Sequence, residues 1–113
     1  MDGGYQAVQD LLSLKQRPTA LFVTNFEMTL GAMLALQHNN IRVPEDLSVI
    51  GFDKLELFGE IFPDLTLLRQ PQLSIGRETA NLMLDLLSSR DSVPHRIVTL
   101  STELTEGRSV SQL

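Results

Sequence analysis

Positions 20–53 read ALFVTNFEMTLGAMLALQHNNIRVPEDLSVIGFD, two short apolar runs separated by a longer segment with helical periodicity. The first run, residues 20–24, is rich in strand formers and predicts a strand buried on both faces. The second run, residues 47–52, predicts a second apolar strand. Asn25 opens the helix between them, which extends to about His38. Because this segment is long enough for a right-handed crossover, the stretch predicts a βαβ unit with parallel strands.

Helices and strands continue to alternate on both sides of this unit. The further predicted elements are a helix over residues 4–15, a strand over 65–68, an amphipathic helix over 73–87 and a last strand over 97–100 and 103–104. Residues 54–61 leave room for a single helical turn. The pattern is typical of an α/β fold with a parallel sheet, but four short strands make a thin sheet. We therefore expect an incomplete α/β domain.

Length, charge and composition exclude several classes of protein. The 113 residues suffice for one small domain. No apolar run approaches the roughly 20 residues needed to cross a bilayer, and we expect no export signal and no membrane partner. The absence of cysteine favours a cytoplasmic location. The net charge is -5 and the basic residues are scattered, so this chain is not expected to bind DNA or RNA by itself.

Two polar residues directly follow the predicted strands of the βαβ unit. Asn25 follows the first strand and Asp53 follows the second. Parallel strands end at one edge of a sheet, where ligands of open parallel sheets bind, so we expect both side chains at one ligand-binding rim. An amide and a carboxylate together suit adjacent hydroxyls or a ring N–H. The alternative is that Asn25 only caps its helix and Asp53 only begins a turn.

Two further residues are candidates for the same ligand crevice. Phe26 lies in the first helical turn, where an aromatic ring can stack on a ligand ring. The alternative for Phe26 is ordinary packing at the start of a helix. Gln70 ends the third predicted strand and offers an amide to the crevice, unless it is only an exposed loop residue.

The sequence does not indicate catalytic or metal chemistry. His38 and His95 have no carboxylate or cysteine at ligand spacing. There is no Gly-x-Ser-x-Gly motif and no glycine-rich loop of the kind that holds phosphates. We therefore predict a protein that is not an enzyme, with no catalytic residues, no metal and no cofactor.

An apolar flank is left over on the helix that Asn25 opens. Leu30 and Leu34 lie on this flank, and Ile61 and Phe62 add apolar surface in a nearby loop. A contiguous apolar patch of this kind marks an interface, whereas core packing is the alternative for each residue taken singly. These four residues are the candidate dimer interface.

Several short motifs follow one another in a particular order. They are RPTALFVTN at 17–25, Met28 with LGA at 30–32, VPEDLSVIGFD at 43–53, PDLT at 63–66, QP at 70–71 with Gly76, TEL at 102–104 and RS at 108–109. In this order and spacing they closely resemble the C-terminal half of bacterial LacI/GalR-type transcriptional regulators, and the resemblance covers nearly the whole chain.

The resemblance implies a periplasmic-binding-protein-like type I fold, with two α/β lobes hinged around a small molecule. It implies a sugar or nucleoside-like effector, a homodimer, and DNA contact only through an N-terminal helix-turn-helix that these residues lack. The residues that match Asn25 and Asp53 are ligand contacts in the family, and Gln70 matches a position near the crossover between lobes. Leu30 and the segment around Ile61 and Phe62 match positions on the dimer face.

The resemblance also assigns segments to lobes. Residues 1–70 and 97–113 would belong to the C-terminal lobe, and the helix within residues 71–90 would pack on the N-terminal lobe. Without that partner, we expect helix 73–87 to pack on its own sheet or against a second copy of the chain. Phe26 and Lys54 stand where the family commonly has an acid or an amide, so the effector class does not carry over.

Two other functions share features with this interpretation. A solute-binding protein of a sugar ABC transporter has the same two-lobe fold and is the main alternative. A small stand-alone enzyme or ribose-binding remnant is the third. The segment VPEDLSVIG at 43–51 favours the regulator.

Overall fold

The structure, a computed structural model, describes residues 1–53, 62, 64–88 and 95–111. The predicted turn over 54–61 lies outside these residues. The elements, in chain order, are α1 (Asp2–Leu12), β1 (Ala20–Phe22), α2 (Phe26–His38), β2 (Ser48–Phe52), β3 (Thr66–Arg69), α3 (Gln72–Ser88) and β4 (Glu103–Thr105).

The strands form a sheet in the order β1-β2-β3-β4. β1 pairs with β2 in parallel, with Phe22 opposite Ile50. β2 pairs with β3, also in parallel, with Phe52 opposite Leu68. With α2 connecting β1 to β2, the βαβ unit and the α/β fold predicted from the sequence are confirmed.

β1 is less buried than the sequence predicts. Leu21 is half-buried and Val23, just after the strand, is buried, but Phe22 is 54% exposed. β1 is the first strand in the sheet order and is paired with β2. The prediction of burial on both faces was therefore wrong, because an apolar run does not distinguish an edge strand from a central one.

α2 is delimited by asparagines at both ends, and it begins after Asn25, as the sequence predicts. The Asn25 side chain accepts a hydrogen bond from the Met28 N–H at the first turn. Asn39 is the C-cap and donates its side-chain amide to the Ala35 carbonyl at 2.7 Å. Asn40 follows with a φ of 55°, the left-handed conformation that asparagine tolerates and that ends many helices.

α1 packs closely against α2 because two glycines lie at their contact. A Cβ on Gly4 would lie against the Met28 carbonyl oxygen, and a Cβ on Gly31 would lie against the Met1 carbonyl oxygen. Both glycines are buried. The two helices therefore approach through backbone atoms, and α1 contributes Val8 to the core.

The core joins α1, α2 and the sheet. Its buried apolar residues are Val8, Val23, Ala32, Ala35, Leu36, Leu47, Val49, Leu65 and Leu67.

The segment after β4 ends between β2 and β3. The buried Ser109 hydroxyl donates to the Val49 carbonyl at 2.6 Å and accepts from the Thr66 N–H at 2.8 Å. The Ser109 carbonyl accepts from the Val49 N–H at 2.8 Å. Next to it, Arg108 forms a two-pronged ion pair with Asp64, each bond 2.9 Å long. Ser109 thus provides hydrogen-bond partners for the Val49 carbonyl, the Val49 N–H and the Thr66 N–H, at the places where β2 and β3 begin.

The chain divides into two compact units. The first comprises Met1–Arg69 and Leu104–Leu113, and the second comprises Gln70–Glu103. Residues 97–103 thus group with α3, whereas the sequence placed them with the sheet. In the second unit, one guanidinium nitrogen of Arg96 lies 3.8 Å from a carboxylate oxygen of Glu78, and another lies 3.9 Å from a carboxylate oxygen of Asp85. These ion pairs join residues 95–102 to α3.

No residue of α3 is buried, although the helix is amphipathic. Leu73 is 89% exposed, and Met83, Leu84, Leu86 and Leu87 are each more than half exposed. The burial expected for this helix, on its own sheet or against a second copy of the chain, remains a prediction.

The predicted last strand is shorter and later than expected. Residues 97–100 have no regular secondary structure, and the strand is Glu103–Thr105. Residues 97–100 carry strand formers, but a strand also requires a neighbouring strand to pair with, and none pairs with them in the described part of the chain. Only the 103–104 portion of the prediction is confirmed.

Candidate functional site

The carboxyl ends of β1 and β2 lie at one edge of the sheet because the two strands run in parallel. The Val23 N–H donates to the Ile50 carbonyl at 2.9 Å and continues the pairing past the end of β1. Asp53 follows β2 directly, and Asn25 follows β1 after Val23 and Thr24. The structure therefore places both residues at the same edge of the sheet, here called the rim, and the role of this rim in ligand binding remains a prediction.

Asn25 is held by three hydrogen bonds to the first turn of α2. Its side-chain oxygen accepts from the Met28 N–H at 2.9 Å, and its backbone carbonyl accepts from both the N–H and the hydroxyl of Thr29, at 2.9 and 2.7 Å. The residue is exposed and extended, with φ -158° and ψ 166°. Because the cap uses the amide oxygen, it does not use the N–H donors of the Asn25 side chain.

Asp53 ends β2 in a left-handed conformation, with a φ of 66°. This conformation costs an ordinary L-residue about 1–2 kcal/mol, and aspartate is among the residues that adopt it most readily. The Asp53 N–H donates to the Leu68 carbonyl at 2.9 Å, which fixes the turn against the end of β3. Residues held in such conformations cluster at functional sites.

Phe26 and Gln70 are placed differently from this pair. Phe26 is half-buried and packs against the hydrophobic core, which is the packing alternative that the sequence left open. Gln70 is half-buried and begins the second unit, where its carbonyl accepts from the Gln72 N–H at 2.9 Å. A contact of Phe26 or Gln70 with a ligand remains a prediction.

The candidate dimer residues are partly buried in the single chain. Leu30 and Leu34 on α2 are half-buried, and so is Phe62. Leu30 and Phe62 also pack against the core. Ile61 lies outside the described residues. The three described residues thus retain accessible apolar surface, and their role in a dimer remains a prediction.

Thr29 is a residue of this site that the sequence analysis missed. Its hydroxyl bonds the Asn25 carbonyl, and the side chain is fully buried beneath the rim. Its methyl group faces Gly51, where an added Cβ would come within 2.8 Å of it. The spacing of four residues from the N-cap was the available signal, because a threonine hydroxyl in a helix can reach the carbonyl four residues back.

Two cavities of the first unit lie away from this rim. One, of about 310 Å³, is lined by residues of α1 and by Arg17, Pro18 and Asp46, and the other, of about 320 Å³, includes Pro44 and Arg108. Neither is lined by Asn25 or Asp53.

No group of three histidine, cysteine, aspartate or glutamate side chains in the described part of the chain could hold a metal ion. No helix described here is long and apolar enough to span a bilayer.

The chain is similar to several transcriptional regulators. It is 38% identical over 110 residues to the HTH-type transcriptional repressor PurR of Erwinia tasmaniensis, covering 97% of this chain and 32% of that protein. A structure of a LacI family transcriptional regulator from Enterococcus faecalis V583 with bound ribose matches with a TM-score of 0.84 and 32% identity, over 99% of this chain and 41% of the other.

A further structure, a complex of the transcriptional regulator CelR with cellobiose, matches with a TM-score of 0.84 and 33% identity, over 96% of this chain and 33% of that chain. The chain thus spans about a third of the length of the curated relatives it matches.

A family profile described as a periplasmic binding protein-like domain matches residues 1–110. The parallel sheet, the shared rim at the ends of β1 and β2 and the likeness to LacI-type regulators all agree with it. The chain belongs to the family of periplasmic binding protein-like domains, in the form found in LacI-type transcriptional regulators.

Proposed function

We propose that this chain is the effector-sensing and dimerisation part of a cytoplasmic, DNA-binding transcription regulator, and that the effector is a sugar or a related metabolite. The observation that carries the proposal is the rim at the ends of β1 and β2. There the Asn25 oxygen caps α2, which leaves the amide N–H groups as donors, and Asp53 brings a carboxylate to the same edge of the sheet. Donors beside acceptors match the hydroxyl groups of a sugar.

Similarity to the named relatives supports the regulatory role. Ribose is bound in one related regulator and cellobiose in another. The curated relatives are transcriptional repressors and not enzymes, and a solute-binding protein of a transporter is not favoured. DNA binding would reside in a helix-turn-helix outside this chain, and the apolar surface of Leu30, Leu34 and Phe62 would join two copies.

The mechanism follows from differential affinity. An effector that binds one arrangement of the lobes more tightly stabilises that arrangement, and it shifts the DNA-binding equilibrium by the ratio of the two affinities. Asn25 and Asp53 would provide one wall of the effector crevice.

The decisive experiment separates the two roles of Asn25 in the full-length regulator. Asn25→Asp keeps a capping oxygen, because aspartate and asparagine cap helices about equally well, but removes the N–H donors. We expect normal operator binding in a gel-shift assay and loss of the response to ribose and cellobiose, the two probe sugars. Gln37→Glu makes the same chemical change at the exposed far end of α2 and should respond normally. A normal response by Asn25→Asp would remove Asn25 from the site.

A further inference from the structure

We propose that Thr29 is a positioning residue that fixes Asn25 and the end of β2 relative to each other. The proposal rests on the function assigned to Asn25 and Asp53 above. It concerns a residue that itself does not touch the effector, because its side chain is fully buried.

One end of the Thr29 side chain holds Asn25. Its hydroxyl donates to the Asn25 carbonyl at 2.7 Å, in addition to the Thr29 N–H bond to the same oxygen at 2.9 Å. The Asn25 side chain is tied to the Met28 N–H in the same turn. The orientation of the exposed Asn25 side-chain amide therefore depends on the position of the Asn25 backbone, whose carbonyl accepts from both the hydroxyl and the N–H of Thr29.

The other end of Thr29 contacts the strand that carries Asp53. Gly51 lies two residues before Asp53, and a Cβ there would come within 2.8 Å of the Thr29 methyl carbon and 2.7 Å of a methyl carbon of Leu67. A strand residue with a side chain would push α2 away from β2. Thr29 thus contacts Asn25 through its hydroxyl and Gly51 of β2, the strand that ends at Asp53, through its methyl group.

Many helical threonines bond the carbonyl four residues back without any role in a site. Two features distinguish Thr29. The carbonyl belongs to the N-cap residue and not to the helix interior, and the methyl group packs on the one residue of β2 that lacks a side chain. A change in the hydroxyl or the methyl group of Thr29 should therefore alter the positions of Asn25 and Asp53 more than it alters the rest of the fold.

Hydrogen exchange of the 113-residue chain tests the hydroxyl without any effector. Thr29→Val keeps the shape and removes the hydroxyl, so we expect the Met28 amide, which bonds the Asn25 side chain, to exchange roughly fivefold faster, in line with the net effect of one hydrogen bond. Thr29→Ser restores the hydroxyl and should return the Met28 amide to the wild-type rate.

Thr66→Val is the matched control. Thr66 is also buried, and its hydroxyl accepts from the Gly107 N–H at 3.1 Å, at the start of β3. We expect this variant to lower overall stability without accelerating exchange at Met28 relative to the amides of the core. An unchanged Met28 rate in Thr29→Val, or equal acceleration in Thr66→Val, would overturn the proposal.

The same variants in the full-length regulator test the consequence for binding. We expect Thr29→Val to need roughly fivefold more ribose for release of the operator, while Thr66→Val responds at the wild-type concentration. If Met28 exchange changes as expected but even the wild-type regulator ignores both probe sugars, the proposed function fails and the positioning role stands. If the sugars act equally on wild type and Thr29→Val, the positioning role fails.

Discussion

Asn25 shows how much a single residue type reveals at the scale of the residue. The position of Asn25 before a helical stretch predicted that it caps the helix. The parallel strands predicted the edge of the sheet at which Asn25 lies. The structure confirms the cap and the parallel pairing. The left-handed turn at Asp53 was not predicted, because aspartate adopts several conformations in loops. Thr29 was missed because its importance depends on Gly51, which is distant in sequence.

The left-handed conformation of Asp53 predicts that a glycine variant at this position is more stable than an alanine variant. Asp53→Ala and Asp53→Gly both remove the carboxylate, but only glycine adopts a φ of 66° without a steric penalty. We expect the glycine variant to be more stable than the alanine variant by about 1 kcal/mol in urea unfolding, the reverse of the usual order. An alanine variant as stable as the glycine variant would show that this turn carries no strain.

At the scale of the element, periodicity predicted the helices and the three parallel strands well. It failed at residues 97–100, where apolar strand formers are present but no strand pairs with them among the described residues. It also failed at the edge position of β1, because hydrophobicity alone does not reveal strand order. Elements with internal hydrogen bonds were therefore easier to predict than elements that need a partner.

Adjacent glycines in α1 provide a paired test of helix packing. Gly4→Ala places a methyl group against the Met28 carbonyl, so we expect a loss of about 1–3 kcal/mol in the free energy of unfolding. Gly3→Ala meets no atom within 4 Å and should be neutral or stabilising by up to about 1 kcal/mol. Thermal or urea unfolding measures both. Equal effects at the two positions would contradict the close approach of α1 and α2.

The loop between α2 and β2 gives a pH-dependent contribution to stability. The Arg42 side chain donates to both carboxylate oxygens of Asp46 at 2.9 and 2.7 Å, and these bonds, with one from the Arg42 N–H, lower the pKa of Asp46 to about 2 from its ordinary 3.8. A folded-state pKa below the unfolded value means that the stabilisation is complete above about pH 4 and disappears as the pH falls through about 2.

We expect the urea midpoint of the wild-type chain to fall between pH 4 and pH 2, and we expect Asp46→Asn to lack that part of the decline. Because the pair is exposed, added salt should reduce the difference between the two proteins. Parallel pH profiles for wild type and Asp46→Asn would exclude this pair as their cause.

At the scale of the whole molecule, the sequence predicted one α/β domain and a helix that belongs elsewhere. The structure divides the chain at Gln70 and Glu103, and the apolar residues of α3 are exposed. The exact division was not predictable from periodicity, because it depends on contacts between segments and not on local pattern. Family membership, in contrast, followed from the order of short motifs.

A binding measurement on the 113-residue chain belongs to this scale. The chain spans about a third of its curated relatives and carries the Asn25 and Asp53 wall of the proposed crevice. We expect calorimetric titration with ribose to show weak binding or none, because lobe closure and the contacts of a second wall would be needed for tight binding. Micromolar affinity would mean that this chain alone holds a complete site.

The hydrogen bonds that Ser109 makes to β2 and β3 have a consequence for synthesis on the ribosome. Its partners Val49 and Thr66 emerge long before it, separated from it by 60 and 43 positions. Until residue 109 has left the exit tunnel, the backbone groups at the start of β2 and β3 must be hydrated or protected by a chaperone. A stop codon placed just before Ser109 should therefore yield a nascent product that is cleared by proteases, even though every element of the βαβ unit has already been translated.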